Sequence, residues 1–404
     1  MTLTPTETQF IALTKSALTG APYLPEEADY SALFTLARQQ KLLPILYESL
    51  RQTPAAMENA ALFDAAKRQV IAQVLHQTVR SMEFSALYQN LRAAGLHPIV
   101  VKGQLCGRLY PMRDHRISAD DDLLIPEEEL LACHKALLEN GLSTGCPEEK
   151  LSGEDEIPYR KSGSSLYIEL HRHLFDSSEN AHDELNHFFS DMHARAVEVD
   201  GLLSMPPHEH LLYLILHAYK HFVSSGIGLR QFCDIGLWAR TYNSDIDWTL
   251  LHEQCASVHA ATFAATAFQI ARDWLGIDFD LPALWETEVS AEPLLHDTLC
   301  GGVYGSNDLT RLHSSTVTLN AVKSSREGKR GSVLSALFPN RQYMERKYPY
   351  VKKAPLLLPV AWGQRMVHYL REKRQGKSAT NSAAGSIQLA KERIELMRLY
   401  EIIE

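Results

Sequence analysis

Asp120 and Asp122 stand two residues apart at the head of an apolar run, Leu123-Leu124-Ile125. Side chains alternate along a β-strand, so the two carboxylates project from one face if this run is a strand. Carboxylates held so close repel each other unless a cation lies between them. Mg²⁺ suits the position, because it takes one or two carboxylates and fills its remaining sites with waters and substrate phosphates. The chemistry implied is group transfer from a triphosphate. A solvated acidic turn, or a helix start capped by Ser118, is the competing reading. The apolar strand that follows directly, closed by Pro126, argues against it.

Two further segments would complete such a site. Leu96-His97-Pro98-Ile99-Val100-Val101 reads as a short strand broken at Lys102-Gly103, with a helix expected from Gln104 to Tyr110. A strand, a glycine turn and a helix start present free backbone N–H groups to an anion, and Lys102 adds a point charge suited to phosphate. Downstream, Ser164 to His171 reads as another strand, with Tyr167, Glu169 and His171 on one face and Ile168 and Leu170 on the other. Glu169 could join Asp120 and Asp122 across neighbouring strands; an edge strand with a polar face is the alternative.

Val101-Lys102-Gly103, Leu109-Tyr110, the run Arg116 to Ile125 and Ile168-Glu169-Leu170-His171 resemble the uncharacterised bacterial nucleotidyltransferases of the polymerase β-type superfold. The segments Leu211 to His221 and Gly228 to Ile235 resemble the helical region of that family. The likeness spans roughly residues 30 to 370 and is most specific between Lys102 and Leu124. It implies an α+β, mostly helical protein with a small mixed sheet carrying the acids, flanked by helical regions. It also implies transfer of a nucleotidyl group from an NTP with Mg²⁺ (or Mn²⁺) as cofactor. On that resemblance Asp120, Asp122 and Glu169 are the catalytic, metal-binding acids. Lys102, Gly103, Arg116 and Ser118 are expected at the nucleotide, joined by Arg230 from the helical region, where His217 and Lys220 are further candidates.

Two departures from the superfold stand out. It usually carries Gly-Ser ahead of its acids, where this chain has Lys102-Gly103, and the residue between its paired acids is usually apolar, where this chain has Asp121. On the opposite strand face, Asp121 needs a partner to be buried without large cost. Arg113, His115 and Arg116 are the candidates nearby.

The elements that must position these groups divide into three parts. Residues 1–92 form an N-terminal helical region, with apolar spacing in Tyr30 to Leu50 and a segment from Ala60 to Leu91 free of Gly and Pro. Residues 93–204 hold the strands and the transferase core. Residues 205–404 are helical again, with Leu211 to Phe222 and Gly228 to Tyr242 the clearest elements. Residues 300–350 read as irregular, with turns at Gly301-Gly302 and Gly305-Ser306, and Lys377 to Ser386 as a loop before a last helix.

The chain of 404 residues is 45% hydrophobic and 22% charged, which suits two or three domains with real cores. No apolar run reaches spanning length and no N-terminal segment reads as a signal peptide. Six scattered cysteines without a CxxC pair point to reduced thiols, and with that to the cytoplasm. Residues 320–380 carry 14 Lys+Arg against 3 Asp+Glu, in a chain of net charge −9. That segment either complements the acidic body of the chain or holds an anionic partner such as RNA, an anionic membrane surface or the substrate phosphates.

Among the histidines, His217 and His221 lie at i and i+4, and His171 and His173 alternate on a strand, but no third ligand stands at a known spacing. Packing or hydrogen bonding is the simpler reading than zinc. Arg230 and Asp234, also i and i+4, read as a helical ion pair. The expected function is metal-dependent nucleotidyl transfer to an unknown acceptor, a small molecule, sugar, peptide or protein. The alternatives are a non-catalytic nucleotide-binding scaffold, in which Asp121 spoils the metal geometry, and an RNA-end-modifying transferase using residues 320–380.

Overall fold

The computed structural model describes residues 2–176, 183–224, 226–302, 350–364 and 383–403, with single positions at 322, 341, 344 and 348. The basic segment 320–380 therefore lies largely outside the described residues, as does the Gly305-Ser306 turn. The fold is α+β and mostly helical, as expected.

Helices α1 (Pro5–Thr19), α2 (Tyr30–Gln39), α3 (Leu43–Leu50), α4 (Pro54–Glu58) and α5 (Ala60–Ala93) come first. Helix α1 starts from a reciprocal cap: Thr4 Oγ1 accepts from the Glu7 N–H, and the Glu7 carboxylate accepts from the Thr4 N–H at 2.7 Å. Helix α5 runs 34 residues without Gly or Pro, about 50 Å at 1.5 Å per residue. Its buried residues include Phe63, Ala66, Val70, Gln77, Arg80, Ser81, Phe84, Leu87 and Leu91, steps that keep one face on the body of the protein. Two polar residues of that stripe, Gln77 and Arg80, lie where the helix passes the sheet.

The sheet contains β1 (Ile99–Val101), β2 (Asp121–Leu124), β3 (Leu142–Ser143), β4 (Glu156–Lys161) and β5 (Tyr167–His171), in the order β1-β2-β5-β4-β3. Strand β2 pairs antiparallel with β1 and parallel with β5, so it sits between two neighbours. The register sets Asp122 beside Val101 on one side and Glu169 on the other. Burial on both faces explains the continuous apolar run at Leu123-Leu124-Ile125. Between β1 and β2 lies the short α6 (Gly103–Gly107), ending three residues before the expected Tyr110; α7 (Leu130–Glu139) connects β2 to β3.

After the sheet come α8 (Met192–Arg195) and a small hairpin of β6 (Val197–Val199) and β7 (Leu202–Ser204). Helices α9 (Pro207–Ser224), α10 (Leu229–Thr241), α11 (Trp248–Ser257), α12 (Ala261–Gln269) and α13 (Glu292–Gly301) follow. A last helix spans Ala383–Leu399, beginning inside the stretch expected as a loop; Ala383 and Ala384 are strong helix formers. Its Arg393 donates to the Phe222 and Ser224 carbonyls at the end of α9. Gln40 ties the two helical regions together, donating to the Thr298 carbonyl at 3.0 Å and accepting from the Leu229 N–H at 2.9 Å. One connected apolar core runs through these parts, from Phe10 to Ile403. Among the described residues no helix is long and apolar enough to cross a membrane.

Candidate functional site

The site is built on β2. Asp122 is buried, and one carboxylate oxygen, Oδ1, lies 3.1 Å from His171 Nε2 on β5. The other, Oδ2, faces the Lys102 ammonium at 3.0 Å but has no aligned hydrogen bond. Glu169 completes the group from β5: Asp122, Glu169 and His171 each offer a donor atom, all within 4.8 Å of one another. Asp120 lies just before β2 and is half-buried; its charge reaches Glu169, as does that of the exposed Glu156 on β4. Burial first, and then the Asp122 and Asp120 charges, push the Glu169 carboxyl up to about 9. Asp122 is held well below the usual carboxylate range, because the Lys102 cation and His171 outweigh the cost of burying it.

Lys102 is held in an unusual way. Its backbone has φ 46°, a conformation that costs a non-glycine residue about 1–3 kcal/mol. The following Gly103 comes so near the acidic segment that an added Cβ would lie 3.3 Å from Asp121 Oδ1 and 3.5 Å from Ser118 Oγ. Two histidines of α9 hold the lysine. Its N–H donates to His210 Nε2 at 3.1 Å, and its ammonium lies 3.2 Å from His217 Nε2. Burial pushes His210 down to about 3 and keeps His217 well below its ordinary value, with the Lys102 charge adding to the effect at His217. Both imidazoles are therefore neutral acceptors at neutral pH.

The opposite face of β2 is closed. Asp121 is buried, and its partner is none of Arg113, His115 and Arg116 but Arg80 on α5, whose Nε donates to Oδ2 at 2.7 Å. The same guanidinium donates to the Ser118 carbonyl at 3.0 Å and the Tyr167 carbonyl at 3.3 Å. Gln104 supplies a second bond to Asp121, at 2.8 Å. Arg80 reaches three segments because it comes from a helix lying across them, 41 residues away in sequence. Asp121 is thus a structural anchor that turns away from Asp122.

The remaining expected residues divide. Arg116 is not open to a ligand: its guanidinium makes a two-pronged bond to Asp234 on α10, at 2.8 and 2.6 Å, and donates to Ser118 Oγ at 2.6 Å. Asp234 also accepts from the Tyr110 hydroxyl at 2.8 Å. The helical pair expected between Arg230 and Asp234 is therefore replaced by one between elements; the carboxylate satisfies the buried Arg116 instead. Arg230 turns to the Ile117 carbonyl, with its Nε left without a partner. Ser118 is pinned by Gln77, Arg80 and Arg116. Lys220 reaches the Phe175 ring, 5.9 Å from its centroid.

Four contributors escape a reading of the sequence: Arg80, Gln104, His210 and Lys41. Lys41, at φ 54°, lies between α2 and α3 and is partly buried where it feels the charges of Arg230, Asp120 and Arg80. His210 carries a signal in retrospect, since His210, Tyr213 and His217 stand at helical spacing on one face of α9.

Fold and site together define an α+β protein, mostly helical, with a carboxylate cluster on the central strands of a small mixed sheet. Residues 26–276, more than half of the chain, match the family described as "Uncharacterised nucleotidyltransferase", and the chain belongs to that family. The sequence is also similar to an H. pylori protein provisionally described as a nucleotidyltransferase, whose crystal structure is solved. Identity is 14%, covering 56% of this chain and 91% of that one, with a TM-score of 0.29; so distant a likeness carries no argument about the site. Among curated proteins none matches the sequence.

Proposed function

We propose that this nucleotidyltransferase uses a divalent cation, Mg²⁺ or Mn²⁺, to move a nucleoside monophosphate from an NTP to an acceptor, releasing pyrophosphate. The observation that carries the reading is the buried cluster of Asp122, Glu169 and His171, whose donor atoms lie within 4.8 Å of one another, with the Lys102 ammonium 3.0 Å from Asp122 Oδ2. Two carboxylates held this close favour a cation between them, and a single lysine offsets only one of the two charges. The donor set suits the cation, since carboxylates serve both Mg²⁺ and Mn²⁺.

Asp120, Asp122 and Glu169 would hold the metal, which when bound supplies charge stabilisation to the transferred phosphoryl group. Lys102 acts as a resident counter-ion for Asp122 and turns to the triphosphate when the nucleotide arrives. Its strained backbone, fixed by His210, holds the stem in place while the ammonium moves. Gly103 lets the chain pass close to the acids. Burial and the neighbouring acids favour the protonated Glu169 carboxyl in the metal-free site; a cation beside it would favour the carboxylate, which binds a second ion or draws the proton from an acceptor hydroxyl. Lys41, partly buried, lies where it feels the charges of both Arg230 and Asp120.

Binding without turnover is the second reading, favoured by the Lys102 ammonium already seated against Asp122. The two are separated by following both melting temperature and pyrophosphate release with ATP, GTP, CTP and UTP, each with Mg²⁺ or Mn²⁺. A metal-dependent rise with a nucleotide, accompanied by pyrophosphate release and lost in Asp122→Asn, is the expected result. A rise without release supports the binding protein. An unchanged response in Asp122→Asn would overturn the site.

A further inference from the structure

A second cluster of metal-donor side chains lies at the contact of α1 with α13. Glu7, buried on α1, meets His296 and Cys300 on α13, and one donor atom from each lies within 4.8 Å of the others. His296 Nδ1 is 3.3 Å from Glu7 Oε2 and 3.9 Å from Cys300 Sγ, which lies 3.5 Å from the other ring nitrogen, Nε2, and 3.7 Å from the other carboxylate oxygen, Glu7 Oε1. Tetrahedral zinc with bonds of about 2.0–2.3 Å sets its donors roughly 3.3–3.8 Å apart, so small side-chain adjustments bring one donor from each residue onto a common ion. His296 and Cys300, at i and i+4, share one face of their helix, and Glu7 is fixed by its role in the α1 cap. A carboxylate ligand supported in this way by a backbone N–H, here that of Thr4, is the usual outer arrangement of a metal site.

We propose that Glu7, His296 and Cys300 form a binding site for a thiophilic divalent cation, Zn²⁺, separate from the acidic cluster on β2. Thiolate, imidazole and carboxylate together select zinc over magnesium, since a hard cation does not take a sulfur ligand. The Cys300 thiol loses its proton as the metal binds. Three protein donors leave a fourth position for water or an exchangeable ligand. The ion would join two helices that are nearly 300 residues apart in sequence.

Cobalt(II) is the probe, since its spectrum reports thiolate ligation directly. Titrated into the metal-free full-length chain, one equivalent should give thiolate-to-cobalt charge transfer in the near ultraviolet and d–d bands in the visible, both displaced by Zn²⁺. The charge-transfer band should persist in Asp122→Asn and vanish in Cys300→Ser. Glu7→Gln, which keeps the helix cap, and His296→Ala should weaken binding beyond the ~10–100-fold expected for loss of a merely supporting partner. No thiolate band with stoichiometric cobalt, or a band that survives Cys300→Ser, would overturn the site and leave the three residues as a hydrogen-bonded contact.

Discussion

Arg116 and Lys102 are both buried cations facing a buried aspartate, yet their surroundings differ in kind. Both Asp234 oxygens accept from the Arg116 guanidinium, one of them also from Tyr110, and Arg116 reaches Ser118 as well. Around Lys102 the backbone is strained, one Asp122 oxygen lacks an aligned bond, and the neighbouring Glu169 is pushed far from its ordinary titration range. The first pair locks α10 to the loop ahead of β2. The second keeps charge available where a ligand would arrive. Full hydrogen bonding around Arg116 fits a structural pair, while the strained backbone and crowded acids around Lys102 fit the proposed site.

The largest effect should come from breaking the satisfied pair. Asp234→Ala leaves the Arg116 charge buried and should cost about 3–5 kcal/mol of stability by chemical denaturation. Asp122→Asn should instead lower nucleotidyl transfer by about 10²–10³-fold. Its stability loss should be smaller than that of Asp234→Ala, since Lys102 keeps His217 as a partner; the reverse order would erase the distinction between the two clusters.

Glu169 sharpens the contrast through pH. Its carboxyl is raised on folding from 4.5 to about 9, so the native state binds that proton more tightly. The associated stabilisation is complete below about pH 4.5 and fades as pH rises toward about 9. In metal-free buffer at about pH 9, Glu169→Gln should therefore exceed the wild type by at least about 1.4 kcal/mol relative to their difference at about pH 4.5. Parallel stability curves for the two proteins would count against the burial and repulsion inferred at this position. The smallest effect should be Arg51→Ala, which removes a solvent-exposed pair with Glu48 and should stay within about 0.5 kcal/mol of the wild type.

Much of this site is local and therefore legible. Period-two alternation places Asp122 apart from Asp121, Glu169 apart from Ile168, and Lys102-Gly103 at a strand end. What escapes is pairing at a distance. Asp121 finds its cation 41 residues upstream on a helix, and Asp234 finds Arg116 rather than Arg230, one turn away. Helical spacing shows which side chains are neighbours, but not which neighbour a buried charge prefers once the helices pack. The positive φ of Lys102 is equally hidden, since that conformation is announced by glycine and not by lysine.

The separation of 118 residues between Arg116 and Asp234 also constrains how the chain can be made. On a ribosome the strands of the five-stranded sheet are synthesised by residue 171, but Arg116 lacks its Asp234 partner until α10 has emerged. Until then, burying the Arg116 guanidinium carries the cost of an unpaired charge. The sheet thus waits for the helices that follow it, and truncation before residue 234 should yield an aggregation-prone fragment rather than a smaller enzyme.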